Sequence, residues 1–271
     1  MVICMKKSVM NLLKGVAIGS SMLIPGVSGG TMAIILGVYD KIVHAVSSFL
    51  KNKKENALLL IQIGLGGVIG AWLLAGCLSC VVAAYRKPMM FLFLGAILGS
   101  IPSLVKKTGI KRPKPIHAVY FLTGLSIVLV LSFLPERLFQ FSKMGAFSFF
   151  ILMFAGIIIA VALVLPGISA SYMLVMLGIY DTVLYAIVHF NFLFLVPLAI
   201  GTILGVLLTT RLLERAMDRH AGVTYLTIIG FVAGSLLEVF PGIPAGIEIL
   251  VCAVTLLIGF FVIFFLSGLN N

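Results

Sequence analysis

The polar residues of this chain gather into short clusters, and long apolar runs separate them. Runs at about 57–84, 88–105 and 116–134, and again at about 192–210, 224–240 and 249–269, approach or exceed the roughly 20 residues that a helix needs to cross the hydrocarbon core. Each predicts a transmembrane helix. Two further apolar runs are broken, at Pro25-Gly26 and at Pro166-Gly167, and only nine residues lie between Gly30 and Asp40 or between Ser171 and Asp181. At about 1.5 Å per residue such a piece covers about half the hydrocarbon. Each Pro-Gly segment therefore predicts a re-entrant helical hairpin with its turn near mid-membrane. The fold class is an all-α polytopic membrane protein.

The two breaks are copies of one another. Pro25 to Asp40 returns 141 residues later as Pro166 to Asp181, with eight of sixteen positions identical. Beyond the motif Gly66, Gly70, Gly95, Gly99, Ser100, Gly124 and Ser132 match Gly201, Gly205, Gly230, Gly234, Ser235, Gly259 and Ser267 at an offset of 135. A single membrane domain, 1–271, thus consists of repeat one at 8–134 and repeat two at 149–270. Three spans and a hairpin per repeat make an odd number of crossings, so repeat two is predicted to be inverted relative to repeat one.

Composition agrees, with 62% hydrophobic and 10% charged residues and a mean hydropathy of +1.25. The net charge of +11 is a topology signal and asks for no nucleic acid. With a cytoplasmic N-terminus, fifteen of the 19 basic residues fall inside, and only Arg86, Lys87, Arg137 and Lys143 fall outside. This bias predicts a multi-pass membrane protein with both termini in the cytoplasm. Lys6 and Lys7 before an apolar run resemble a signal peptide, but that run belongs to the repeat and is read as retained. Cys77 and Cys80 form a lone C-x-x-C inside an apolar run, and His44, His117, His189 and His220 are scattered. Buried thiols and packed or interfacial histidines follow, with no metal and no cofactor.

Irregular backbone at membrane depth is tolerated only where protein or a water-filled cavity covers it. Two opposed breaks point to a site near the midplane, of the kind that inverted-repeat transporters build from half-helix N-termini. The half-helices are predicted to begin at Ser28-Gly29-Gly30-Thr31 and Ser169-Ala170-Ser171-Tyr172. Small residues and hydroxyls there leave backbone amides open to an anion, and each helix start adds about half a positive charge. The alternative is that these small residues only permit close packing, as Gly66-x-x-x-Gly70 and Gly95-x-x-x-Gly99 do. Asp40 and Asp181 are placed at the C-terminal end of the half-helix, where a carboxylate opposes the dipole. Either coupling to a proton or cation or a solvated interfacial cap accounts for them. Tyr39 and Tyr180 are read as interface anchors. Arg86, Lys87 and Arg137 are the outer cations that an anionic headgroup meets first, unless they are snorkelling anchors.

The Pro-Gly-Val-Ser-Gly-Gly-Thr and Pro-Gly-Ile-Ser-Ala-Ser segments, with their shared Leu-Gly-x-Tyr-Asp endings, resemble the polyprenyl-phosphate transporter family (PopT type) over essentially the whole chain. The resemblance implies a flippase that returns undecaprenyl phosphate, a polyprenyl-phosphate lipid, from the outer to the cytoplasmic leaflet. Its headgroup would sit at the opposed hairpin tips, and access would alternate around them. The integral-membrane undecaprenyl-pyrophosphate phosphatases of the BacA type also carry Pro-Gly-x-Ser in re-entrant hairpins, but continue it with arginine. Gly29 and Ala170 stand at that position here, and neither Glu214-x-x-x-Asp218 nor Glu136-x-x-x-Gln140 supplies their paired acids. Without those groups phosphoryl transfer lacks charge stabilisation and acid-base chemistry, so a transporter is expected rather than an enzyme. A small-anion channel is a third reading. Oligomeric state and coupling ion are not encoded in any motif.

Overall fold

The computed structural model describes residues 2–22, 27–112, 114–133 and 146–269. Among these the chain is helical throughout, with no strand. The first half forms α1 (Val2–Ser21), α2 (Gly29–Ile35), α3 (Tyr39–Ser47), α4 (Lys53–Ala84), α5 (Arg86–Lys107) and α6 (Pro115–Ser132). The second forms α7 (Ala146–Val164), α8 (Ala170–Met176), α9 (Tyr180–Val188), α10 (Phe192–Arg219), α11 (Ala221–Val239) and α12 (Glu248–Leu269). The six long runs are α4, α5, α6, α10, α11 and α12, each long and apolar enough to cross a membrane. α10 continues nine residues past its predicted end, because Leu212 to Met217 are strong helix formers that carry the helix on into the polar phase.

Large apolar side chains such as Trp72, Leu208, Leu212 and Phe265 point outward, while glycines line the helix seams. That is the distribution expected of helices in lipid, where close packing rather than apolar burial drives association. α1 lies along α4, α7 along α10, α5 along α12 and α6 along α11. Added Cβ atoms at Gly66 and Gly70 would stand 2.3 and 2.2 Å from the carbonyl oxygens of Leu12 and Val16. One at Gly95 would stand 2.0 Å from that of Leu256, and one at Gly230 would stand 2.2 Å from that of Phe121. No side chain fits at such distances, so these helices touch backbone to backbone. The fifth helix of each half packs on the sixth of the other, which interlocks the halves.

The short helices explain the Leu-Gly-x-Tyr-Asp endings. Gly37 has φ +65° and Gly178 has φ +71°. The Gly37 and Val38 amides donate to Ile34 and Ala33 carbonyls, and the Gly178 and Ile179 amides to those of Val175 and Leu174. Both are Schellman stops, in which a left-handed glycine satisfies the last carbonyls of a helix. The buried C″ residue, Val38 or Ile179, anchors each stop in the interior. The chain then restarts at Tyr39 and Tyr180, after bends of 117° and 108°.

This corrects the placement of the two aspartates. Asp40 and Asp181 lie in the first turns of α3 and α9, where a carboxylate is favoured by the helix dipole. The stop-and-restart lies within four residues, so the sequence pattern reads as one continuous helix. Cys80 is likewise exposed rather than buried, whereas Cys252 is buried. The interior is centred on α2, α3, α5 and α11, through residues such as Ile34, Val43, Ile97 and Val232, and α8 sits in a smaller cluster with Val128 and Phe231.

Candidate functional site

Ser28 and Ser169 are extended residues that open α2 and α8, and each caps its helix through the side chain. Ser28 Oγ accepts from the Thr31 amide at 3.1 Å, and Ser169 Oγ accepts from the Tyr172 amide at 3.4 Å. In an N-cap of this kind the N3 amide goes to the cap. The amides of Gly29 and Gly30, and of Ala170 and Ser171, are then the donors that helix geometry leaves over. Each helix has only 7 residues, so its end carries less than the half charge of a long helix. Individual amides and hydroxyls therefore dominate over the macrodipole.

The two tips meet. The Gly167 amide donates to Thr31 Oγ1 at 3.0 Å and to Ser28 Oγ at 3.3 Å, and the two hydroxyls lie 3.0 Å apart. Gly167 adopts φ +82°, and a Cβ there would stand 2.3 Å from the Phe231 carbonyl oxygen. The glycine of this Pro-Gly is thus required both by its backbone angle and by α11. Pro25 and Gly26, its partners in repeat one, lie outside the described residues. Ser28 and Thr31 are buried, Ser169 and Tyr172 are half-buried, and Ser171 is exposed. The Tyr172 hydroxyl donates to the Leu131 and Ser132 carbonyls at the end of α6, both at 3.2 Å.

A cavity of about 280 Å³ is lined from both motifs, by Ser28, Gly29 and Gly30 on one side and Ser169, Ala170 and Ser171 on the other. The rest of its wall is almost wholly apolar, including Val43, Val46, Ile63 and Val206. No charged side chain lines it among the described residues. The chamber therefore offers hydroxyls and amides to a polar group and an apolar wall to whatever is attached to it.

Other candidate residues take different places. Asp40 pairs with Lys107 at the end of α5 and accepts from the Tyr225 hydroxyl of α11 at 3.1 Å. Asp181 is exposed on α9, so the two aspartates share a position in the repeat but not an environment. Tyr39 is buried, not an interface anchor, because its hydroxyl reaches across to donate to Val164 O at 2.8 Å. Lys87 is paired with Glu248 of α12 at 2.8 Å, and Arg86 beside it is exposed. Arg137 lies outside the described residues.

α3 is also fastened to α10, where Glu214 accepts from Ser47 and pairs with His44. Lys14 of α1 donates to Leu36 O at 2.8 Å and so closes the C-terminal end of α2. Sequence reading missed both groups that hold α3, Lys107 and Tyr225 on Asp40 and Glu214 on His44 and Ser47. Lys107 sat in a run of positive charge that carries topology, and Tyr225 sat in an apolar span.

The sequence profile of the undecaprenyl phosphate translocase-like family matches residues 18–255. A curated polyprenyl-phosphate transporter of Staphylococcus aureus is 33% identical over 267 residues, covering 93% of each chain. One of Vibrio cholerae is 28% identical over 247 residues, covering 84% of this chain and 76% of its own. No solved structure matches.

Proposed function

The chain belongs to the undecaprenyl phosphate translocase-like family, a family of lipid transporters rather than enzymes, and we propose that it carries undecaprenyl phosphate from the outer to the cytoplasmic leaflet. The observation that carries this reading is a cavity lined by both repeated motifs. The phosphate is held by the amides and hydroxyls of Ser28, Gly29 and Gly30 and of Ser169, Ala170 and Ser171, while Thr31 and Tyr172, committed to the caps and the tip junction, support the tips from behind. The apolar wall accepts the first isoprene units, and the remainder of the tail stays in lipid. The cost of bringing a phosphate to a chamber without a cation is high, so occupancy is brief, as transport requires.

Inverted repeats with the N-terminus in the cytoplasm put α3 on the cytoplasmic side and α9 on the outer side. α3 is held by His44, Ser47 and Asp40 to Glu214, Lys107 and Tyr225. At the repeat-related positions stand Tyr185, Val188 and Asp181 in place of His44, Ser47 and Asp40, and Ser79, Gly242 and Met90 in place of Glu214, Lys107 and Tyr225. Five of those six residues cannot reproduce the polar latch, and α9 leaves Leu184, Tyr185 and Val188 exposed. This asymmetry favours a conformation sealed toward the cytoplasm that loads from the outer leaflet. Arg86, beside the paired Lys87, is the outer cation that first meets the headgroup. Access then alternates around the hairpin tips, and Asp40 is the carboxylate whose release from Lys107 couples to opening.

The test is the leaflet-resolved appearance of labelled undecaprenyl phosphate in proteoliposomes, with phosphate release from undecaprenyl pyrophosphate followed in parallel. Movement without phosphate release is expected. Ser169→Leu, at a half-buried position, abolishes movement while the protein remains inserted. Phosphate release, or wild-type movement in that variant, overturns the reading.

A further inference from the structure

A second cavity, of about 190 Å³, lies beside the first turn of α3 and is lined by Asp40, Lys41 and Lys107 together with Ser100 and Ser267. Tyr39 forms part of the wall of this cavity and of the central one. One aromatic side chain, held by its hydrogen bond to Val164 O, thus belongs to the walls of both an uncharged chamber and a charged one. The charged chamber carries two ammonium groups against one carboxylate, a net excess of one positive charge.

The carboxylate is a weak competitor for that charge. The Lys107 and Asp40 side chains are 31% and 35% exposed, and pairs this open contribute at most about 1 kcal/mol. A phosphate monoester carries close to two negative charges near neutral pH and three acceptor oxygens, and so outbids a single carboxylate for the same ammonium. Lys107 also lies with its Nζ 5.7 Å from the Tyr225 ring centroid, a contact that the ammonium keeps whether or not Asp40 holds it.

We propose that this cavity is a second phosphate-binding site, in which Lys107 and Lys41 take the phosphate and Asp40 is the internal anion it displaces. It rests on the transport reading only in making the phosphate that of the lipid headgroup; free inorganic phosphate has the same chemistry. On that reading the headgroup passes Tyr39 from the central chamber and arrives here, at the cytoplasmic end of its path, before release.

The full-length protein in detergent is tested with labelled inorganic phosphate in equilibrium dialysis, with farnesyl phosphate as competitor. Lys107→Gln and Lys41→Gln each weaken phosphate binding roughly fivefold, as the loss of a part-exposed charge partner does. Asp40→Asn tightens it by a similar factor. This opposite sign separates binding from damage to the fold, and Lys41, exposed on α3, makes a variant that folds even where Lys107→Gln does not. Displacement by farnesyl phosphate assigns the site to the lipid headgroup, and failure of displacement assigns it to free phosphate. No binding by the wild type, binding unchanged in both lysine variants, or weaker binding in Asp40→Asn overturns the proposal. A wild type that binds phosphate with this pattern but moves no lipid in proteoliposomes refutes the transport reading alone.

Discussion

Replacing Thr31 by valine keeps the shape of a fully buried side chain and removes one oxygen from the junction between the hairpin tips. The Gly167 amide then loses its 3.0 Å acceptor but retains Ser28 Oγ at 3.3 Å. The cost is about 1 kcal/mol, that of an ordinary hydrogen bond. Ser28→Ala removes the α2 cap, at about 1 kcal/mol, and leaves Gly167 on Thr31. In the double variant the buried amide has neither acceptor, and an unsatisfied donor costs about 1–3 kcal/mol. The pair therefore destabilises by about 1 kcal/mol or more beyond the sum of its members. Reversible unfolding in mixed micelles, titrated with a denaturing detergent and followed by circular dichroism, supplies the four stabilities of the cycle. Additivity within about 0.5 kcal/mol, the range for independent sites, would show that the two hydroxyls do not share the Gly167 amide and would refute the junction.

Further outcomes follow from other parts of the molecule. Gly95→Ala forces a Cβ to 2.0 Å from the Leu256 carbonyl oxygen and separates α5 from α12, costing more than about 2 kcal/mol in the same titration. Gly37→Ala and Gly178→Ala each place an alanine in the left-handed region, which costs about 1–2 kcal/mol and lowers thermal stability without altering the family of helices seen by circular dichroism. Glu214→Gln weakens the hold of α10 on His44 and Ser47. A cysteine introduced at Val46 should then react faster with a water-soluble maleimide added from the side that bears α3, and an unchanged rate argues against a latch. Asp40→Asn removes the ion dependence of transport in proteoliposomes and Asp181→Asn leaves it in place, and an ion dependence retained in Asp40→Asn refutes the coupling role.

The long helices were legible because lipid demands uniformly apolar spans of a set length, and most of the glycines that recur at an offset of 135 stand against a neighbouring backbone that leaves no room for a side chain. The hairpin starts were legible for a related reason: Ser28 and Ser169 are cap residues at a break. What escaped was local or remote in opposite senses. The stop at Gly37 and restart at Tyr39 are packed into so few residues that no change of period marks them, and Asp40 was assigned to the wrong helix end in consequence. The Asp40, Lys107 and Tyr225 cluster joins residues 67 and 185 positions apart, a distance over which one sequence carries no pairing signal. The asymmetry between α3 and α9 escaped for a third reason, since identical Tyr-Asp pairs conceal partners that differ.

The glycine seams reduce the number of ways in which this protein can move. Backbones in direct contact cannot roll or slide past each other without colliding, so α1 with α4, α7 with α10, α5 with α12 and α6 with α11 act as four struts. Shear between struts, with hinges at the short stops after α2 and α8, is the remaining freedom. A covalent crosslink within a strut would then be mechanically silent, whereas one joining two struts would jam the machine, and the pattern of silent and jamming links would map the moving parts without a second conformation being captured.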